Sequence, residues 1–241
     1  MSTRFDLCER VTLAVHGQGE TWNFIRDFAS HWVTPLDESD GNSESVLSAT
    51  EERLGIALPE AFKEAYALFG CRSDLTRNSE HLLEPAALYL DHDALIFRHE
   101  NQGAALWGIR LADLQHADPP VYYCTCIENN VMDEWEPWLG RFSLTCLDLI
   151  LWESLSDSRM PIEFRECNDE DIPLIEQLYF ELPSSSQVGS DNSYTPFGVR
   201  WFTGTDLLLC VTGADLRVRT RTREALWSIR ETLPGDWLDE Y

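Results

Sequence analysis

The chain has 241 residues, of which 44% are hydrophobic and 11% aromatic, so it carries enough apolar side chains for a globular protein and too many for a disordered one. Its 42 acidic residues outnumber 18 basic ones, which gives a formal net charge of −24 at pH 7. Such a charge repels nucleic acid and anionic lipid, and it favours a basic protein partner. The alternative explanation is solubility alone, although −24 exceeds the magnitude of about 2–8 that suits a small domain.

Composition also bears on the compartment. No apolar run approaches the roughly 20 residues of a membrane-spanning helix, and the first residues lack the apolar segment of a secretory leader. The seven cysteines are odd in number and lack the spacing of a disulfide framework. Because free thiols are typical of a reducing compartment, the sequence predicts a cytoplasmic protein with no membrane partner.

The first third of the chain predicts helices. Apolar residues at helical spacing predict a helix over 22–33, and another over about 45–55 follows a polar linker. Pro59 suits the first position of a third helix, which we expect to end near Gly70. The predicted buried face of this third helix consists of Phe62, Ala65, Tyr66 and Phe69.

The middle of the chain predicts strands. Residues 95–97 and 105–109 are apolar runs on either side of the polar turn Glu100-Asn101-Gln102-Gly103, and together they predict a hairpin. Residues 121–126, rich in β-formers, predict another strand.

The remainder predicts further helices and strands. Residues 133–138 are predicted as an acidic, aromatic loop and 139–152 as a helix. Beyond them we expect a helical face over 172–182, strands over 199–203, 207–212 and 216–220, and a final helix that contains Leu226 and Ile229.

Three segments carry a family signature. Residues Phe97 to Trp107 spell F-x-x-E-N-Q-G-x-x-x-W, and Asp118-Pro119-Pro120-Val121 follows. Both resemble the signature of the bacterial SUKH superfamily. The helix after Leu58-Pro59 resembles the amino-terminal part of that signature, although its second aromatic, Tyr66, comes one position later than usual. The resemblance covers residues 43–154.

The resemblance implies a fold and a function. The implied fold is α+β, with a SUKH-like mixed, mainly antiparallel sheet packed with helices over residues 1–155. Residues 156–241 would form an α+β extension on the same core. The implied function is immunity, in which the protein neutralises a toxin by occluding its active site, and the charge adds that this nuclease- or deaminase-type toxin is basic. The alternatives are a non-catalytic scaffold or regulatory domain of the same superfamily and, third, an enzyme of unrecognised type.

Two groups of residues are candidates for partner binding. The turn residues can present a carboxylate and two amides, or they can satisfy the backbone of their own turn. The acidic, aromatic loop interleaves carboxylates with indoles, which suits an interface with a basic partner; alternatively it is a solvated loop with its indoles packed on the sheet. The candidates are Glu100, Asn101 and Gln102 in the turn, and Asp133, Glu134, Trp135, Glu136 and Trp138 in the loop.

No catalytic residue, metal site or cofactor is predicted. The sequence lacks a phosphate loop, a Gly-x-Ser-x-Gly elbow and a His-Glu-x-x-His motif. Asp91-His92-Asp93 and His99-Glu100 are the segments on which an enzyme would depend. Residues 164–175 look like the opening of a GNAT acetyltransferase, but no Gly-rich pyrophosphate turn follows. Cys124 and Cys126 have no second cysteine pair to complete a zinc site.

Four arginines alternate near the end of the chain, at Arg217, Arg219, Arg221 and Arg223. A period of two on a strand places the first three on one face. Such a stripe can bind phosphate, but in so acidic a chain we expect it to pair with the protein's own carboxylates.

Overall fold

The structure, a computed structural model, describes residues 5–125, 134–157, 159, 162–183 and 198–239. Within these residues the chain forms eight α-helices and two six-stranded antiparallel sheets, which confirms the α+β class. The helices are α1 (Leu7–Ala14), α2 (Gln18–Trp32), α3 (Glu44–Leu54), α4 (Glu60–Phe69), α5 (Ser73–Thr76), α6 (Phe142–Ser154), α7 (Asp171–Leu178) and α8 (Arg223–Thr232).

The strands divide between the two sheets by their place in the chain. The first sheet contains β1 (His81–Leu82), β2 (Tyr89–Asp91), β3 (Ala94–His99), β4 (Ala105–Arg110), β5 (Val121–Thr125) and β6 (Glu136–Leu139). The second sheet contains β7 (Ile162–Glu166), β8 (Phe180–Glu181), β9 (Arg200–Gly204), β10 (Leu207–Thr212), β11 (Asp215–Thr220) and β12 (Leu238–Asp239).

Local capping determines where several helices begin and end. The Asp6 carboxylate accepts a hydrogen bond from the Glu9 N–H at 3.0 Å and starts α1. Thr222 does the same for the Ala225 N–H at 3.1 Å at the start of α8. Gly55, with a φ of +69°, ends α3 in the left-handed conformation that glycine adopts without strain.

The predicted hairpin forms the centre of the first sheet, whose strand order is β1-β3-β4-β5-β6, with β2 also paired to β3. Its register runs from Ala94 opposite Arg110 to His99 opposite Leu106, with a bulge between Ile96 and Arg98. The bulge directs Arg98 inward, where its guanidinium lies 4.6 Å from the Trp107 ring centroid.

Helix α6 lies between the two sheets, which explains why 11 of its 13 residues are buried. Phe142 packs against Phe97 of the first sheet, with ring centroids 5.2 Å apart, and Trp152 packs edge-on against Trp201 of the second at 6.5 Å. A helix that is apolar on all sides needs cover on all sides. Here the inner faces of both sheets and the helices α2, α4 and α5 provide that cover.

The second sheet has the order β12-β7-β11-β10-β9-β8, and each of its faces packs against helices. Leu208 and Cys210 of β10 join the core around α6, whereas Leu209 faces a second core. Ile175 of α7 and Ile229 of α8 cover that second core. The layers are therefore the first sheet, the helices around α6, the second sheet, and α7 with α8.

Helix α4 has the buried face that the sequence predicts, made of Phe62, Ala65, Tyr66 and Phe69. The Phe62 ring stacks on Tyr66 with centroids 4.4 Å apart and lies 5.0 Å from Phe142. The predicted helix face is thus part of the main core.

Three sequence predictions are wrong. The segment predicted as a loop and helix start contains strand β6, and α6 begins only at Phe142, because Glu136–Leu139 pairs with β5 as an edge strand, where Pro137 is tolerated. The predicted helical face over 172–182 ends at Leu178, because the next residues pair with β9. Arg217 and Arg219 lie on β11, but Arg221 follows the end of that strand and Arg223 lies in α8, so the four arginines do not share one strand.

In the part of the chain that the structure describes, no helix has the length and apolar character to cross a membrane.

Candidate partner-binding surface

The Glu100 turn is held by its own carboxylate. Glu100 accepts hydrogen bonds from the backbone N–H groups of Gln102 at 2.8 Å and Ala104 at 2.9 Å, and Gly103 supplies a φ of +77°. The side chains of Asn101 and Gln102 are exposed. The structure therefore gives Glu100 an internal role and leaves only the two amides directed to solvent.

A buried polar cluster ties this turn to α6. The Glu153 carboxylate accepts from the N–H groups of Asn78, Ser79 and Glu80 at 2.6, 2.8 and 2.9 Å, and it pairs with Arg98 at 3.5 Å. Asn101 N–H in turn donates to Glu80 at 3.1 Å.

Within this cluster, burial raises the pKa of Glu80; Arg98 opposes the rise, while Glu100 and Glu153 add to it. Sequence reasoning missed these residues. The available signal was charge inside two apolar segments, Arg98 in β3 and Asp148 and Glu153 in α6.

Trp135 lies on the outer face of the first sheet, the face opposite to α6. Its indole Nε1 donates to the His92 carbonyl oxygen at 2.9 Å, and its ring packs beside Ala94, Ile96 and Leu106. The ring fits because Gly108 has no side chain: a Cβ there would lie 3.0 Å from Trp135 Cη2. The indole is fixed in position yet remains partly exposed.

The other loop candidates do not face the same way. Alternation along β6 turns Glu136 and Trp138 toward the opposite face from Trp135. Trp138 packs edge-on against Trp107 at 5.6 Å and Tyr123 at 5.4 Å, and the Tyr123 hydroxyl donates to the Glu136 carboxylate at 2.8 Å. Asp133 lies outside the described residues.

The fold brings the Asp91-His92-Asp93 turn beside Trp135, and we call Asp91, His92, Asp93, Glu134 and Trp135 the Trp135 patch. The Asp91 carboxylate lies 2.8 Å from His92 Nδ1. Asp93 and Glu134 are exposed and have no ion pair among the described residues. Sequence reasoning did not join these two segments, because 43 positions separate the two bonded residues.

Charge at the Trp135 patch is predominantly negative. Arg110 ends β4 on the same face of the sheet, opposite Ala94, and is the basic residue that register places nearest to the patch. The Trp135 patch therefore contains three carboxylates, Asp91, Asp93 and Glu134, against one nearby arginine. The surface suits a basic partner.

The Trp135 patch and the Glu100 turn lie at opposite ends of β3. Six residues of strand at about 3.3 Å each separate the ends by roughly 20 Å. The two candidate groups are thus two places on one sheet and do not form a single cluster.

Two arginines of the stripe pair with carboxylates of the chain itself, as the sequence predicts. Arg219 pairs with Asp157 at 3.2 Å and Arg221 with Asp206 at 2.7 Å. Arg217 stacks over the Trp152 ring at 5.8 Å.

Among the residues that the structure describes, no group of three or more His, Cys, Asp or Glu side chains is arranged to hold a metal ion. Cys124 is buried on β5, and Cys126 lies outside the described residues.

Fold and surface together define an acidic α+β protein with a tryptophan-centred patch. No family model, no curated protein and no solved structure matches the chain. The resemblance to the SUKH superfamily therefore stays a prediction.

Proposed function

We propose that the protein is a SUKH-type immunity protein that acts in the cytoplasm, binds a basic toxin domain and occludes the toxin's active site. The Trp135 patch is the observation that carries this proposal. Its indole is partly exposed, and beside it in the patch are Asp93 and Glu134, exposed carboxylates with no ion pair among the described residues. The net charge of −24 means that the whole molecule, like the patch, favours a basic partner.

The geometry of Trp135 supports a role in affinity. Tryptophan is enriched among the few residues that contribute most to a binding interface. Because the hydrogen bond to His92 and the packing over Gly108 already order the ring, little side-chain entropy remains to be lost on binding.

The carboxylates support a role in association. Exposed charges at the rim of an interface act chiefly on the association rate, and this contribution falls as salt rises. Asp93 and Glu134 have this exposed position. The two kinds of residue in the patch thus predict two separable kinetic effects.

Binding kinetics test the proposal, with the purified basic domain encoded by the neighbouring reading frame as the partner. From about 50 to 500 mM salt the Debye length shrinks from roughly 14 to 4 Å, so the association rate falls steeply while dissociation changes little. Trp135→Ala raises the dissociation rate about 30-fold, as for a hot-spot residue. Trp227→Ala, which removes another exposed indole, is the matched control and leaves the rate unchanged.

Variants of the carboxylates test their effect on the association rate. Asp93→Asn, Glu134→Gln and, from the sequence prediction, Asp133→Asn slow association about twofold each, whereas Glu224→Gln on α8 does not. Salt-insensitive association together with wild-type behaviour of Trp135→Ala refutes the Trp135 patch as the interface. Binding to a set of unrelated proteins and to no neighbouring toxin would favour the scaffold function instead.

A further inference from the structure

A groove of about 660 Å³ opens where the start of α1 and the end of α2 meet the edge of the second sheet. Its walls include Phe5, Glu9, His31, Phe180, Asp206 and Arg221. The volume is within the range of small-molecule sites, about 300–1,000 Å³. The groove lies on the far side of α6 from the Trp135 patch, so it is independent of the proposed toxin interface.

Three of the lining residues, His31, Asp206 and Arg221, form a linked polar triad. Arg221 Nη1 donates to Asp206 at 2.7 Å and to Nε2 of His31 at 2.8 Å. Because Nε2 accepts this bond, the imidazole is neutral, and burial next to Arg221 lowers the pKa of His31. The triad therefore adds no net positive charge to the groove.

Aromatic rings form the walls. Phe180 is 73% exposed, the most exposed large hydrophobic residue of the described chain. Phe5 stacks on the His31 ring with centroids 4.6 Å apart. An exposed phenyl face attracts cations through its quadrupole and covers the apolar body of a ligand.

The charge of the lining residues decides whether the groove favours a cationic or an anionic ligand. Asp6, Glu9 and Asp206 line the groove, and Arg221 is the one arginine or lysine among the described lining residues. The start of α1 would favour an anion, but the Asp6 cap and Glu9 already offset it. Arg221 and the partial positive charge of the helix end offset only part of the three negative charges, so the groove keeps a net negative charge that favours a cation.

We propose that this groove binds a small organic cation, an ammonium or guanidinium with an apolar body. The cationic group lies between Glu9 and Asp206, and the apolar body packs against Phe180 and Phe5. Recognition rests on carboxylates for the charge and on phenyl rings for the body.

Three probes of similar shape test which ligand charge the groove prefers: benzylammonium is a cation, benzyl alcohol is neutral and phenylacetate is an anion. Each is titrated against the full chain by NMR. We expect saturable binding of benzylammonium, at least tenfold tighter than that of the other two. Tighter binding of phenylacetate would overturn the proposal, because it would make Arg221 the recognising group. The absence of saturable binding by all three would overturn it as well.

Variants test the location. Phe180→Ala and Glu9→Gln should each weaken benzylammonium binding about fivefold, and Asp206→Asn about tenfold, with asparagine suited to the φ of +57° at that position. Trp227→Ala and Glu20→Gln are the matched controls and should bind like the wild type. Unchanged binding in all three groove variants would refute the site.

Discussion

Arg219 of β11 donates a hydrogen bond from Nη2 to the carbonyl oxygen of Trp32, the last residue of α2, at 2.8 Å and across 187 positions of the chain. The same guanidinium donates to the carbonyl of Ser154, the last residue of α6, at 3.1 Å and pairs with Asp157 at 3.2 Å. One buried cation thus satisfies the carboxyl ends of two helices. Burial lowers the pKa of Arg219 to about 10, against the opposing effect of Asp157.

Arg219→Met should lower the free energy of unfolding by about 3 kcal/mol, because it leaves two helix carbonyls without this donor and removes a buried partner of Asp157. The value lies at the low end for such a loss, since Arg159 still pairs with Asp157 at 2.7 Å. Urea denaturation measures the change. Arg200→Met, at a more exposed pair, is the control and should cost about 0–1 kcal/mol. A loss below 1 kcal/mol for Arg219→Met would show that the second sheet does not depend on this contact.

Glu153→Gln should also lower the free energy of unfolding by about 3 kcal/mol. The amide group that replaces one carboxylate oxygen faces backbone N–H donors of residues 78–80, and the buried Arg98 loses its counter-charge. Denaturation midpoints measure the effect, and Glu176→Gln at a half-exposed site is the control. Equal midpoints for the wild type and Glu153→Gln would contradict a structural role for this carboxylate.

The buried carboxyl group of Asp148 makes the stability of the protein depend on pH. Burial raises the pKa of Asp148 to about 6, with Arg98 opposing the rise. Between its unfolded value near 4 and about 6, the folded state binds more protons than the unfolded state, so the Asp148 contribution to stability falls as pH rises through this window.

Asp148→Asn should therefore be more stable than the wild type at pH 8, by about 2 kcal/mol, with the difference shrinking toward pH 4. Denaturation of both proteins at several pH values gives the difference curve. Asp215→Asn, at an exposed site, should show no such curve. A pH-independent difference for Asp148→Asn would mean that the carboxyl titrates normally.

Gly108→Ala tests how closely the Trp135 ring packs against the strand at Gly108. The new methyl would lie 3.0 Å from the indole and 3.2 Å from both Ala94 Cβ and Leu95 O, so we expect a cost of about 1–2 kcal/mol. Gly140→Ala, with open space around it, is the control. In a Trp135→Ala background the cost should shrink, because the nearest contact is gone; a full cost there would assign it to the strand backbone.

The sequence predicted elements best where the apolar signal is strong. The apolar runs of β3 and β4 and the helical spacing of Phe62 and Tyr66 both appear in the structure as expected. It failed at short edge elements such as β6 and β8, because edge pairing depends on a neighbouring strand far along the chain. Helix α1 was missed because only three of its eight residues are buried, which leaves a short apolar stripe.

For the candidate surface, the sequence by itself determined the acidic charge, the turn chemistry of Glu100 and Gly103 and the presence of an indole among carboxylates. These properties follow from composition and from local backbone geometry. Only the tertiary structure decided that Trp135 and Trp138 face opposite sides, that the Asp91–Asp93 turn joins the patch, and that Arg219 links α2 to α6. Each depends on contacts between residues distant in the chain, which are made only when the sheets pack around α6.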